Sequence, residues 1–592
     1  MTTAAATAAA AAFAADPAVA TRRRFVPADL DPADWDQLQP LYDALLGREL
    51  DSPDALEQWL ADYSELSAVV SEAGSRRNIT FACHTDDEEA EAAFLHFVEN
   101  IAPQVAPLAD KLHRKYLESP ALAALDPGRY DILTREWKQD VELFREANVA
   151  LKTEVTKLTK RYDQLMGAME VEFKGETLTL QQLGRYQEDT DRDTREQAWR
   201  LAADRRLRDR DAIEGVYDEQ VKLRQQIAEN AGFENFRDYQ WKAFGRFDYT
   251  PDDVYAFHDA IERVIVPRIA EVDRQRKQAL GLDTLRPWDT AVDIKGRPPL
   301  QPFSKSDVRD LVTRTKAIFQ KVEPSLAEDF ARLRLGRNLD LDSRRGKRGG
   351  GFQASLSESR EPFIFMNAAG LQRDVETMLH EGGHAFHFVW ASANEPLLFL
   401  QHAPIEFCEV ASMSMELIAA PFLESFYDDP ATGRVDADRA RRVHLLGVLR
   451  VLPWIATISA FQHWVYLHPG HTREQRRDAW RQTFDRFSGG AVDWAGLRDA
   501  YDYRWHAQLH LFHHPFYYIE YGIAQLGALQ LWRNYRDDPR AALEAYRAAL
   551  TLGGTKTLPE LFEAAGIRFD FTAETIEPLI DDLMAELDRL PA

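Results

Sequence analysis

From about Trp35 to about Leu280, apolar residues recur at spacings of three and four between charged ones. That is the pattern of helices with one face turned to a core. Residues 133–169 and 194–231 are long, breaker-poor segments of this kind and predict two long helices. No strict heptad is sustained, so they read as helices packed on neighbours rather than as a coiled coil. Between them VEFKGETLTL, Val171–Leu180, predicts a short hairpin turning at Lys174-Gly175. The proline- and charge-rich stretch Asp283–Phe303 predicts a long surface loop or a joint between lobes. Helical pattern resumes at Ser304 and runs to about Arg334. FQASL (Phe352–Leu356) and PFIFMN (Pro362–Asn367) are short strand candidates on either side of the turn-prone SESRE. After Leu371 the pattern is helical almost to the end. The expectation is a mainly α protein with one small β element just ahead of residue 371. No repeat of 20–50 residues is visible, which argues against a solenoid.

At 592 residues the chain is too long for one compact core, and length alone suggests about four domains. The net charge of −24 excludes a nucleic-acid or anionic-membrane surface, since those are bound through clustered Lys and Arg. Cys83 and Cys408 form at most one bridge, which fits a reducing, cytoplasmic location. The alanine-rich start, residues 1–22, reads as a disordered tail. Its basic run, Arg22-Arg23-Arg24, follows the alanines, whereas a secretory signal puts basic residues first. The most apolar later stretch, Val451–Phe461, is interrupted by Pro453, Thr457 and Ser459 and is well short of the ~20 residues of a bilayer span. It predicts a buried helix and no membrane association.

Sixteen histidines are present, and twelve lie between His380 and His514. At the front of this crowd stands TMLHEGGHAFH, residues 377–387. His380 and His384 are four apart, so on a helix both imidazoles leave one face and grip one metal ion. Glu381 is rotated off that direction, where it takes a proton from water that Zn²⁺ has acidified to a pKa of about 7. Gly382 and Gly383 each cost a helix about 1 kcal/mol relative to alanine. The expected return is a thinned helix that leaves room for a substrate chain.

A hydrolytic zinc site takes three protein ligands. IEFCEVASMSME, Ile405–Glu416, carries Glu406, Glu409 and Glu416 near one helical face among apolar residues. Buried carboxylates of this kind need a cation or a partner. Glu409 is the expected third ligand, and Glu406 the expected acceptor of a ligand histidine's far N–H. Further on, YDYRWHAQLHLFHHPFYYIEY, residues 501–521, gathers His506, His510, His513, His514, Tyr517, Tyr518 and Tyr521. Such donors suit a tetrahedral oxyanion. RRGKRGGG, Arg344–Gly351, lacks the spacing of a phosphate loop. Its glycines instead suit a flexible loop against a ligand's main chain.

These residues carry a family resemblance. DVETMLHEGGHAFH (Asp374–His387), EFCEVASMSME, DSRRGKRGGGFQASL (Asp342–Leu356) and the run ending PFYYIEYGIAQLGA resemble the zinc metallo-oligopeptidases of thimet oligopeptidase and oligoendopeptidase F. The second branch is the closer, and the likeness covers roughly residues 130–590. It implies a mainly α fold of two helical lobes around a deep substrate channel, with a small β element beside the HExxH zinc helix. That replaces four domains by a tail (1–22), an N-terminal helical region (23–190) and a metallopeptidase catalytic domain (191–592). It implies one Zn²⁺ per chain on His380, His384 and Glu409, with Glu381 as general base. Tyr521, either Tyr517 or Tyr518, and His510 (with His513 and His514 in competition) are the implied oxyanion or substrate contacts. Gly350 and Gly351 are implied to bind substrate. The implied reaction is zinc-dependent hydrolysis of internal bonds in short peptides; the oligomeric state is left open, with a monomer favoured. A carboxypeptidase on the same scaffold and a catalytically silent peptide-binding homologue are the alternatives.

Overall fold

The structure, a computed structural model, describes residues 17–304 and 307–591. Most of the alanine-rich start lies outside these residues; Pro17–Ala20 form one helical turn. The remaining chain is mostly helical, as the spacing of its apolar residues predicts.

Both long predicted helices are broken. The first is divided into Pro127–Leu143 and Ala147–Gly167. Phe144 leaves helical backbone at ψ 130°, and the Arg145 guanidinium donates to the carbonyls of Glu142 and Phe144. A cation on terminal carbonyls ends a helix without the glycine that would have marked it in the sequence. The second divides at Asp209 into Arg192–Arg208 and Arg210–Asn230. Between these pairs the expected hairpin forms from β1 (Glu170–Phe173) and β2 (Glu176–Thr179). Its turn residues Lys174 and Gly175 have φ of 51° and 82°, the left-handed pair that matches strand twist in a two-residue hairpin.

Ahead of residue 371 the β element has three strands: β3 (Leu339–Asp342), β4 (Phe352–Leu356) and β5 (Glu361–Ala368), in the order β3-β5-β4. β5 runs antiparallel to β4 and parallel to β3. The sequence reading missed β3, a four-residue strand with too few positions to establish alternation. As the central strand, β5 is covered on both faces, and its near-continuous apolar run follows from that. Phe363 and Phe365 pack with Ile79, Ala82 and Cys83. Ile364 and Met366 face the other way, into the largest core. β4 is left as an edge. Three residues after β5 begins the helix Gln372–Asn394, which carries the HExxH motif.

The apolar stretch 451–461 lies inside one long helix, Gly433–Leu467, with Leu452, Ile455, Ile458 and Phe461 fully buried. By length and composition this helix alone among the described residues resembles a membrane span, yet 61% of its apolar window is buried within the protein.

Candidate metal centre and its surroundings

The motif helix is fixed at its start. Gly370, at φ 85°, turns the chain out of β5. The Asp374 carboxylate then accepts the N–H groups of Ala369 and Leu371, at 2.7 and 2.8 Å. A carboxylate here also favours the positive end of the helix dipole. Nearly two turns further along, His380 and His384 stand with ring centroids 4.9 Å apart.

Facing them is the helix Ile405–Ala419, which brings Glu409 between the two imidazoles. Glu409 Oε2 is 3.3 Å from His380 Nε2 and 3.4 Å from His384 Nε2. Donors bound at about 2.1 Å to one tetrahedral ion stand about 3.4 Å apart. The three residues therefore fit a divalent cation, and they form the one such group of three His, Cys, Asp or Glu among the described residues. Glu381 is buried beside them with Oε2 unpartnered. Burial raises its carboxyl above the usual carboxylate range, against the opposing pull of His380 and His384.

Two expectations are corrected here. The first concerns Glu406, which does not touch a ligand histidine. It accepts the Tyr249 hydroxyl at 2.5 Å and lies 3.8 Å from the buried Arg246. The far nitrogen of His380 bonds Glu416 instead, at 2.7 Å, and the other Glu416 oxygen meets His444 at 2.9 Å. The reason is direction. The motif helix and the Glu409 helix are antiparallel, so the carboxylate beside the earlier histidine comes later in the second helix. The ten-residue connection between them was the available signal, because short links join antiparallel neighbours.

The second concerns the glycine pair, which does not open space for substrate. A β-carbon on Gly382 would lie 2.7 Å from the Phe319 ring, and one on Gly383 would lie 2.6 Å from the Ala411 carbonyl and 2.7 Å from Ser412 Cα. Gly383 lets the two ligand-bearing helices meet backbone to backbone, and Gly382 makes room for the Phe319 ring. Gly383→Ala should therefore destabilise the protein despite alanine's helix preference. The gain is about 1 kcal/mol and overpacking costs about 1–3 kcal/mol. The opposing atoms are main chain and cannot rotate away, so overpacking wins. Calorimetry should give a lowered Tm, and an unchanged or raised one contradicts this packing role.

The glycine loop is also held rather than flexible. Asn367 of β5 donates to the carbonyls of Arg348 and Gly350, both at 2.8 Å. A β-carbon on Gly351 would lie 3.4 Å from Glu381 Oε1, so this stretch of main chain runs directly over the glutamate. Gly350, at φ 91°, lies against Leu509.

Of the histidine and tyrosine run, the structure brings three residues to the centre. Tyr517 donates its hydroxyl to Glu409 Oε1 at 2.6 Å, so it holds the carboxylate. Tyr521 places its hydroxyl 3.3 Å from His510 Nε2. The tautomer of His510 follows from its neighbours. Trp454 can only donate, and it donates to Gln508 Oε1 at 2.9 Å; the Gln508 amide nitrogen therefore faces His510 Nδ1 at 2.8 Å, leaving the ring proton on Nε2. Burial first, then His514 and His513, push His510 down to about 3, so it is neutral at neutral pH. Tyr518 packs its ring on His510 and Tyr521. His513 bonds Asp163 at 2.7 Å, His506 faces Glu214 at 3.3 Å, and His514 is exposed.

The backbone entering this run is strained. Phe516 has φ 69°, a region costly for a bulky residue. It persists because Gln462 accepts its N–H and Arg246 donates to its carbonyl, while Arg246 is ion-paired to Glu520 at 2.6 Å. Gln462 and Arg246 escaped the sequence reading because each lies on another element, far away in the chain. His510, Tyr517, Tyr521 and Gly349–Gly351 line a cavity of about 290 Å³.

A family model described as peptidase family M3 matches residues 185–579, and one described as the peptidase M3 N-terminal domain matches residues 25–144. The oligoendopeptidase F homolog of Borreliella burgdorferi is 23% identical over 261 residues, 43% of this chain and 42% of that protein. Group B oligopeptidase PepB of Streptococcus agalactiae is 24% identical over 183 residues, 31% of this chain and 29% of that protein. The matched stretches thus span less than half the length of these relatives. A solved structure of PZ peptidase A with an inhibitor is 25% identical, with a TM-score of 0.89 over 96% of this chain and 99% of that one.

Proposed function

We propose that this chain, which belongs to peptidase family M3, is a zinc endopeptidase that cuts internal bonds of short peptides. One observation carries the reading: two imidazoles and a carboxylate oxygen stand at the spacing of one tetrahedral ion, with an unpartnered glutamate oxygen beside them. His380, His384 and Glu409 would hold the zinc, which would supply Lewis acidity toward a peptide carbonyl and make water a stronger acid.

The residues of the chain do the rest. Glu381 takes the proton of the attacking water and passes it to the leaving amine, work suited to a carboxyl whose pKa burial has raised. Tyr521 and the Nε2–H of neutral His510 donate to the carbonyl oxygen as it becomes anionic. Tyr517 fixes Glu409, and Glu416 fixes the ring and tautomer of His380. The free edge of β4 and the main chain at Gly350 and Gly351 suit an extended peptide, which pairs with an unpartnered strand edge.

A peptide blocked at both ends distinguishes this activity from removal of terminal residues. Mass spectrometry of the products should show cleavage at an internal bond, abolished by a chelator and restored by zinc. A peptide left intact unless its carboxy terminus is free would favour the carboxypeptidase alternative. No cleavage of any peptide by the zinc-loaded protein would favour the silent binding homologue.

A further inference from the structure

Beyond the cavity at the metal centre lies a second one, of about 440 Å³. Leu180, Gln181, Arg206 and Ala507 line both, so the two adjoin. Arg206, Arg373 and Arg504 line the second cavity against one acid, Glu188. In a chain of net charge −24 that is a local reversal of sign. Glu188 offsets it only in part, because burial raises its carboxyl to about 7.

Most guanidiniums in this protein meet a carboxylate; those of Arg206 and Arg504 have none among the described residues. Arg206 also has a fully buried Nε without any hydrogen-bond partner. Arg504 is held by ring faces alone, Trp454, Phe484 and Trp494 at 5.1, 5.5 and 5.5 Å. That arrangement fixes the guanidinium plane and leaves its N–H groups to be used. The two charges also oppose each other, with Arg504 still open to solvent. Two like charges kept together in a pocket, one with a buried unpaired donor, form a site that an anion completes.

We propose that Arg206 and Arg504 bind a carboxylate of the peptide substrate. This rests on the peptidase reading and deepens it by naming what the substrate carries. His510, Tyr517 and Tyr521 do not line the second cavity, so the carboxylate sits beyond the reacting bond and not next to it. A free carboxy terminus held there sets a short stretch of peptide between the cut and the end. That fits an endopeptidase restricted to short peptides better than an enzyme removing the last residue. An Asp or Glu side chain offers the same chemistry.

The test compares three peptides of one sequence: with a free terminal carboxylate, with a terminal amide, and with internal acids replaced by their amides. In the wild-type protein kcat/KM should favour the form carrying the recognised carboxylate by roughly ten- to hundredfold, as expected for a charged hydrogen bond. In the R206Q/R504Q double variant that preference should fall to about one, with cleavage of the neutral form kept within about twofold. Loss on terminal amidation assigns the carboxy terminus; loss on replacing internal acids assigns a side chain. Equal cleavage of all three by the wild type, or parallel loss of all three in the variant, overturns the proposal. Binding of the same peptides to E381Q, read by fluorescence anisotropy, tests the carboxylate preference without turnover. A protein that discriminates in binding but never cleaves would refute the peptidase reading and leave this one standing.

Discussion

Glu381→Gln keeps its metal and loses turnover by roughly 10²–10⁴-fold, the contribution of a positioned acid–base group. The substitution is nearly isosteric, so the packing of the Gly351 main chain over the side chain is preserved. Metal content should stay at the wild-type level, because Glu381 is outside the group of three that fits the ion. What disappears is an acceptor. Glu381 Oε2 meets no protein donor and is free to take a proton, whereas an amide in its place cannot. The measurement is kcat together with metal stoichiometry on the same preparation. Near-normal turnover would remove Glu381 from the chemistry, and a parallel loss of metal would make it a structural element of the site.

Glu409→Ala should do more damage and by a different route. It removes one of three ligands, the acceptor of the Tyr517 hydroxyl and the acceptor of Ser412 Oγ in one step. Two imidazoles alone leave the coordination incomplete, so metal and activity should vanish together. Glu416→Gln provides the graded comparison. It leaves all three ligands and weakens the support of His380 along with the bond to His444, for which a loss of roughly 10–100-fold in metal affinity is expected. Metal titration of both variants checks the order. If Glu409→Ala bound metal better than Glu416→Gln, the ligand assignment would have to be exchanged.

How far the sequence revealed this site depended on how local each relation is. His380, Glu381 and His384 lie within two turns of one helix, so spacing alone puts them together. Glu409 was legible because a carboxylate among Phe407, Val410 and Met413 has to have a partner. Glu416 has the same helical phase as Glu409, yet its job depends on the relative direction of two helices, which spacing within one of them does not reveal. The glycine pair shows the same limit. Its cost was visible in the sequence, but the compensation is contact of Gly382 with Phe319 and of Gly383 with Ala411 and Ser412, reached only through tertiary packing.

The crowding of histidines likewise pointed to one region while leaving the inner assignment ambiguous. Only the neighbouring Gln508, oriented by the distant Trp454, and the distant Asp163 separate His510 from His513. In the fold, the hairpin at Lys174-Gly175 and the β4–β5 pair were legible from turn chemistry. The helix breaks at Phe144 and Asp209 were not, because no glycine or proline marks them.

The central claim is that His380, His384 and Glu409 together hold one catalytic zinc. Anomalous diffraction recorded across the zinc absorption edge, on crystals of the protein as purified and assayed, tests it most directly. One peak per chain is expected, about 2.1 Å from His380 Nε2, His384 Nε2 and a Glu409 carboxylate oxygen. An active preparation with no peak there, or with its zinc on other residues, would contradict it.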